Sequence, residues 1–161
     1  MVERIAIEIR VGRTEDASAI SALVVSFQHQ YLVGSPADAA RFLSAVAPQA
    51  ECDNLRSQDH SYLVALAGGR VVGVIAVRGS SHVFRLFVAA DCQRRGVARA
   101  LWDRLRAEAP HITRYTVNSS VMAEPVYQRF GFARTASPTE ADGIAFVPMA
   151  WEAPQGEGDQ P

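Results

Sequence analysis

Along residues 5–11 the chain alternates, Ile5, Ile7, Ile9 and Val11 against Ala6, Glu8 and Arg10, the period of two that a half-buried strand requires. At Thr14 the period changes. Thr14 offers a capping hydroxyl, Glu15 and Asp16 supply early negative charge, and Ile20, Leu23, Val24 and Phe27 follow at helical spacing, which predicts a helix over 14–30. Gly34-Ser35-Pro36 interrupts the pattern, with Ser35 as cap and Pro36 at the first helical position of a second, short helix carrying 39–46. Residues 48–60 are polar and poorly periodic, and no element is expected there. Two β-rich runs, 61–67 and 70–78, meet at Gly68-Gly69, a two-residue hairpin signal because both turn positions favour positive φ. Gly79-Ser80-Ser81 leads into a further strand over 82–88. Beyond it the pattern predicts a helix over 96–108 with Leu101 and Leu105 on one face, a strand over 112–117, a short helix over 123–130 and closing strands over 132–135 and 144–149. From Pro154 the chain is Gly, Pro, Gln and acid. The expected organisation is one domain, 1–152, followed by a flexible tail, 153–161.

Composition narrows the function classes. With 48% apolar and 20% charged residues, 161 residues suit one globular core. Sixteen basic and seventeen acidic residues leave a net charge of −1, too little to hold nucleic acid or an anionic membrane. All sixteen basic residues are Arg, whose planar fork suits phosphate, and the absence of Lys excludes lysine self-acetylation. Cys52 and Cys92 have neither metal-ligand spacing nor the density of a disulfide scaffold, so they read as structural thiols and no metal is expected. Residues 1–5 lack a signal peptide's apolar stretch and no run is long enough to span a bilayer, so a cytoplasmic location is expected.

The segment richest in chemistry is 86–101, an apolar strand, a polar loop with Gly, and an apolar-faced helix. The first amides of a helix have no internal partner and point along the positive end of its dipole, an arrangement that holds phosphate. Gly96 and Ala98 let an anion approach the backbone, and Arg94, Arg95 and Arg99 supply charge nearby. The same residues also suit a solvated basic turn between a strand and a helix. Neither a Walker loop nor a dinucleotide Gly-x-Gly-x-x-Gly is present.

Gln93-Arg94-Arg95-Gly96-Val97-Ala98 resembles the pyrophosphate signature of the GNAT superfamily of N-acetyltransferases, Gln/Arg-x-x-Gly-x-Gly/Ala. Tyr127-Gln128-Arg129-Phe130-Gly131-Phe132 is similar to the family's Tyr-x-x-x-Gly-Phe motif, and the resemblance extends over residues 5–150. It implies an α/β (α+β) fold with a central mixed, mostly antiparallel twisted sheet of about six or seven strands and about four helices. In that fold the strand before the loop splays from its neighbour, and here Leu86, Phe87 and Val88 would pair with the pantetheine of coenzyme A. The implied activity is transfer of an acetyl group from acetyl-CoA to an amine. A non-catalytic acyl-CoA sensor of the same fold, and a phosphate binder of another, are the alternatives. A homodimer through the late strands is a further family association.

Acyl transfer from a thioester needs a neutral amine, an oxyanion stabiliser and a proton for the departing thiolate. The resemblance points to Tyr127 as proton donor, to the Val88 amide as oxyanion donor, and to His82 as base, since His82 stands where histone-acetylating members carry Glu. Tyr127 and His82 equally suit a core aromatic and a strand-end residue. Where many members have Asn, this chain has Ser120, with Asn118 close by; either would reach the cofactor, and Ser120 would alternatively cap the helix carrying Tyr127. Pro125 leaves open whether that helix starts at Ser120 or near Glu124. His29, Tyr31, Phe42 and Phe146 are candidates to line the acceptor site.

Overall fold

The computed structural model describes residues 5–155, so most of the expected tail and the first four residues lie outside the described part. Eight strands form the sheet: β1 Glu8–Val11, β2 His60–Ala67, β3 Arg70–Arg78, β4 His82–Val88, β5 Arg114–Ser119, β6 Ala133–Arg134, β7 Thr139–Ala141 and β8 Ile144–Glu152. Five helices accompany them: α1 Ala17–Val25, α2 Pro36–Ala45, α3 Pro48–Arg56, α4 Val97–Glu108 and α5 Glu124–Phe130. The strand order is β1-β2-β3-β4-β5-β8-β6, with β7 paired to β8. All pairings are antiparallel except β4 with β5.

The central strands β2 and β3 are apolar on both faces because both are covered. Leu63, Ala65, Val72, Ile75 and Val77 face the side where α4 lays down Val97, Leu101, Trp102 and Leu105. Tyr62, Val64, Val74 and Ala76 face the other side, against Ile20, Leu23 and Val24 of α1. Trp102, 1% exposed, stacks on Phe130 at 5.9 Å and meets Trp151 edge-on at 5.4 Å, so α4, α5 and β8 share one aromatic cluster. Burial of a side chain of that size stabilises the fold by about 1.5–3 kcal/mol.

Several elements depart from the expectations. The helix expected over 14–30 is divided: a tight turn at Thr14–Asp16, α1 proper, and a second tight turn at Gln28–Gln30. Asp16, not Thr14, closes its start, accepting from the Arg13 amide at 2.7 Å and from Arg10 at 2.8 and 3.0 Å. Only Glu8–Val11 of the first alternating run pairs in the sheet. Ser35 does cap α2, accepting from the Asp38 amide at 3.3 Å. The polar stretch 48–60 contains α3, where Pro48 sits in the first turn and the inward face carries Glu51, wholly buried. A carboxylate on the buried face is what disguised its period. β7 also arises where none was expected, joined to β8 by Asp142 and Gly143, both at positive φ (52° and 74°), a type I′-like pair that the sequence carries in plain view.

That turn fixes the approach to the site. The Val33 amide donates to Gly143 O at 2.9 Å and the Ala145 amide to Tyr31 O at 3.0 Å, tying the segment after α1 to β8. A Cβ at Gly143 would stand 2.6 Å from Asp38 Cβ. Gly143→Ala is therefore expected to lower stability by about 2 kcal/mol through positive φ and overpacking together. The drop should be read as a lower urea midpoint at constant slope; an unchanged midpoint would show that α2 does not seat against this turn.

Candidate functional site

The site forms where the sheet opens. β4 and β5 pair only at His82 with Thr116 and Val83 with Val117, while β4 stays paired to β3 up to Val88 and β5 to β8 from Arg114 to Ser119. Beyond Val83 the two strands part. The Ala89 amide donates to Val72 O at 2.8 Å, and alternation along the ladder then turns the backbone groups of Val88 and Leu86 away from β3, into the gap.

The loop after β4 ends the gap with a concentration of N–H groups. Arg94 and Gly96 both have positive φ (62° and 85°), a backbone form that curls successive amides around an anion. The first helical bond of α4 is Ala100 N–H to Gly96 O at 3.0 Å, so the amides of Val97, Ala98 and Arg99 have no carbonyl one turn back. A Cβ on Gly96 would meet open space, so glycine is present for its φ and not for lack of room. Gln93 faces backwards, its Nε2 donating to Val88 O at 3.0 Å and pinning the loop to the strand end. Arg70 and Asp91, 2.8 Å apart, tie the loop to β3.

Two cavities occupy the gap. The larger, about 980 Å³, runs from the α4 terminus along β4 to α5 and includes Gln93, Arg94, Gly96, Val97, Ala98 and Arg99. The smaller, about 160 Å³, lies between the segment after α1 and strands β4 and β5. Both are lined by Tyr31, Leu86, Phe87 and Tyr127, where they meet. Val88 lines the larger one. Arg95 is exposed and lines neither, and Arg99 is partly engaged, donating to Arg129 O at 3.0 Å and lying over Phe130 at 4.8 Å.

Tyr127 stands on α5, whose start is at Glu124, with the Ser120 hydroxyl accepting from the Ala123 amide at 3.1 Å. Glu124 and Arg134 form an ion pair that ties α5 to β6 and holds the carboxyl below its usual range. Gly131, at φ 103°, ends the helix, and Phe132 packs edge-on against Tyr127 at 5.3 Å. The phenol is buried, and that burial, with Tyr31 nearby, pushes its pKa far up. Tyr31 is pushed up to about 12 by burial, opposed by the Ser120 hydroxyl and by Arg85.

Asn118 and Ser120 line the smaller cavity and are absent from the larger. Tyr31 and Phe42 line the smaller cavity too, their rings stacked at 6.3 Å, while His29 and Phe146 do not. His82 lines neither cavity. Its Nδ1 lies 2.8 Å from the Thr116 hydroxyl, and desolvation with the charge of Arg78 lowers its pKa. The polar group that sequence reasoning missed is Arg85 with Glu51: Glu51 accepts from Arg85 at 2.8 and 3.0 Å and from the Tyr62 hydroxyl at 2.5 Å. No sequence signal joins residues 34 positions apart. Among the described residues no cluster of His, Cys, Asp and Glu could hold a metal ion, and no helix is long and apolar enough to cross a membrane.

Residues 30–153 match the acetyltransferase (GNAT) domain family. No curated protein matches the chain. Solved structures do. A GCN5-related N-acetyltransferase from Rhodopseudomonas palustris is 24% identical, with a TM-score of 0.76 over 94% of this chain and 98% of its own. The PaiA N-acetyltransferase from Thermoplasma acidophilum, solved with coenzyme A, is 16% identical, with a TM-score of 0.71 over 92% and 99%. The ribosomal-protein-S18-alanine N-acetyltransferase from Escherichia coli is 16% identical, with a TM-score of 0.65 over 95% and 98%. At these identities the structures establish a common fold.

The burial of Tyr127 has a direct spectroscopic consequence. In an alkaline difference titration of wild type against Tyr127→Phe, the Tyr127 phenolate is expected to be absent at about pH 10, where exposed tyrosines are half-ionised. A phenolate signal from Tyr127 at that pH would mean that water reaches the hydroxyl freely.

Proposed function

Since this chain belongs to the GNAT acetyltransferase family, and is thereby an acyltransferase, we propose that it transfers an acetyl group from acetyl-CoA to a primary amine by direct attack within a ternary complex. The observation that carries this reading is the meeting of the two cavities at Tyr127, beside a strand whose edge toward β5 is unpaired beyond Val83. In the larger cavity the amides at the start of α4 and the guanidinium of Arg94 suit a pyrophosphate, the more so because the helix dipole adds about 0.3–2 kcal/mol for an anion. The free N–H and C=O of Leu86 suit the amides of a pantetheine arm as an added strand, while the Val88 carbonyl is taken by Gln93 and its N–H is left for the oxyanion. What supports coenzyme A as the occupant is the order of these groups: N–H donors suited to phosphate at one end, an unpaired strand edge in the middle, and Tyr31, Leu86, Phe87 and Tyr127 at the other.

The thioester then lies at the junction and the amine in the smaller cavity. The amine nitrogen attacks the acetyl carbon, and the developing oxyanion is held by the Val88 N–H. The C–N bond forms, the C–S bond breaks, and Tyr127 gives its proton to the thiolate, while the proton lost by the amine passes through water back to the Tyr127 phenolate. Desolvation keeps the phenol protonated throughout the neutral range, so the donor is always loaded. The apolar side chains of Leu86 and Phe87 at the junction raise the basicity of the leaving thiolate in the same way. His82, outside both cavities, is not given a proton-transfer role in this scheme.

The test is free-thiol release from acetyl-CoA with a panel of amines. Tyr127→Phe is expected to lower kcat about 10²–10⁴-fold with little change in KM for acetyl-CoA; unchanged kcat with chemistry limiting would remove Tyr127 as donor. His82→Ala should leave the shape of the pH–rate profile intact, and loss of an ionisation from that profile would restore His82 as the base. Thermal stabilisation by coenzyme A without any product would favour an acyl-CoA sensor.

A further inference from the structure

The smaller cavity has a distinct electrostatic character. Among the described residues Arg85 is the one charged residue that lines it; no Asp, Glu or His does. Glu51, the partner of Arg85, is wholly buried and is not part of the lining. Arg85 is aimed by three hydrogen bonds, two to Glu51 and one of 3.2 Å to Phe84 O, and it lies over the Phe84 ring at 4.7 Å. A guanidinium has five N–H donors, so about two of them have no protein partner among the described residues. The rest of the lining is apolar at Val24, Phe42 and Ile144, with neutral polar groups at Asn118 and Ser120.

A cavity of about 160 Å³ with this lining is ill suited to a polycation. A second ammonium group would find a guanidinium and no anion to face it. A carboxylate, by contrast, would take the spare donors of a guanidinium already held in place, without the entropy of ordering a long side chain. We propose that the acceptor is a small amine carrying a carboxylate next to its amino group on an apolar body, that is, an apolar α-amino acid, with its carboxylate on Arg85 and its amine toward Tyr127. This rests on the acyl-transfer reading above, with the smaller cavity as the acceptor site.

The experiment uses the full chain saturated with coenzyme A. Leucine, methionine and phenylalanine are each titrated by calorimetry as the free acid, the primary amide and the decarboxylated amine, with thiol release from acetyl-CoA followed in parallel. At least one free acid is expected to bind about tenfold or more tightly than its amide and amine. The preference should collapse in Arg85→Gln/Glu51→Gln, which removes both charges without stranding a buried one; retained stabilisation by coenzyme A shows that this variant is folded. Amides or amines bound as tightly as every acid, or a preference that survives in the double variant, would overturn the proposal, and the wild-type comparison decides it alone if the variant does not fold. Selective binding of an acid without thiol release would instead remove the acyl-transfer reading and leave the carboxylate subsite standing.

Discussion

The structure depends on two strands that stay together for only two residue pairs and then separate. Within a sheet nearly every backbone donor and acceptor is taken by a neighbour, so an internal gap is costly unless something else fills it. Here each strand is secured on its outer side, β4 by β3 and β5 by β8. The wedge between them is lined by α5 through Tyr127 and by the segment after α1 through Tyr31. Because β4 ends at this opening, the loop that follows brings the N-terminus of α4 to its far end. The unpaired amides at the start of α4, the open edge of β4 and a buried phenol thus lie along one path.

The hydrogen bonds of Glu51 give the neighbouring cavity its sign. A buried ion pair contributes little net stability, because desolvation offsets the attraction, so this pair matters more for geometry than for the strength of the fold. Glu51 comes from α3, Tyr62 from β2 and Arg85 from β4. Their junction ties the helical layer to the strand that borders the gap. Glu51 is wholly buried and outside the lining while Arg85 is part of it, so of this pair only the cationic residue borders the cavity.

The sheet, the hairpin at Gly68-Gly69 and the helix α4 were legible in the sequence because each depends on local period or turn chemistry. The loop from Gln93 to Ala98 is legible for a related reason: its turn and the unpaired amides that follow are made by consecutive backbone groups, and a contiguous motif records them. α3 is not, since its inward face carries Glu51 where a helical period calls for an apolar residue, and β7, three exposed residues, has no apolar alternation although Asp142-Gly143 signals its turn. The spacing after Thr14 predicts one long helix, yet Asp16 and the turn at Gln28–Gln30 shorten it at both ends.

What the sequence determined by itself was the family, the order of the main elements and the two motifs whose residues are neighbours along the chain. Only the tertiary structure decided which side chains share a cavity. It set Asn118 and Ser120 in the smaller one, left Arg95 and His82 outside both, and joined Arg85 to Glu51. The physical reason is that local backbone geometry is written in adjacent residues, whereas burial and charge pairing arise between elements far apart in the chain and exist only once those elements pack.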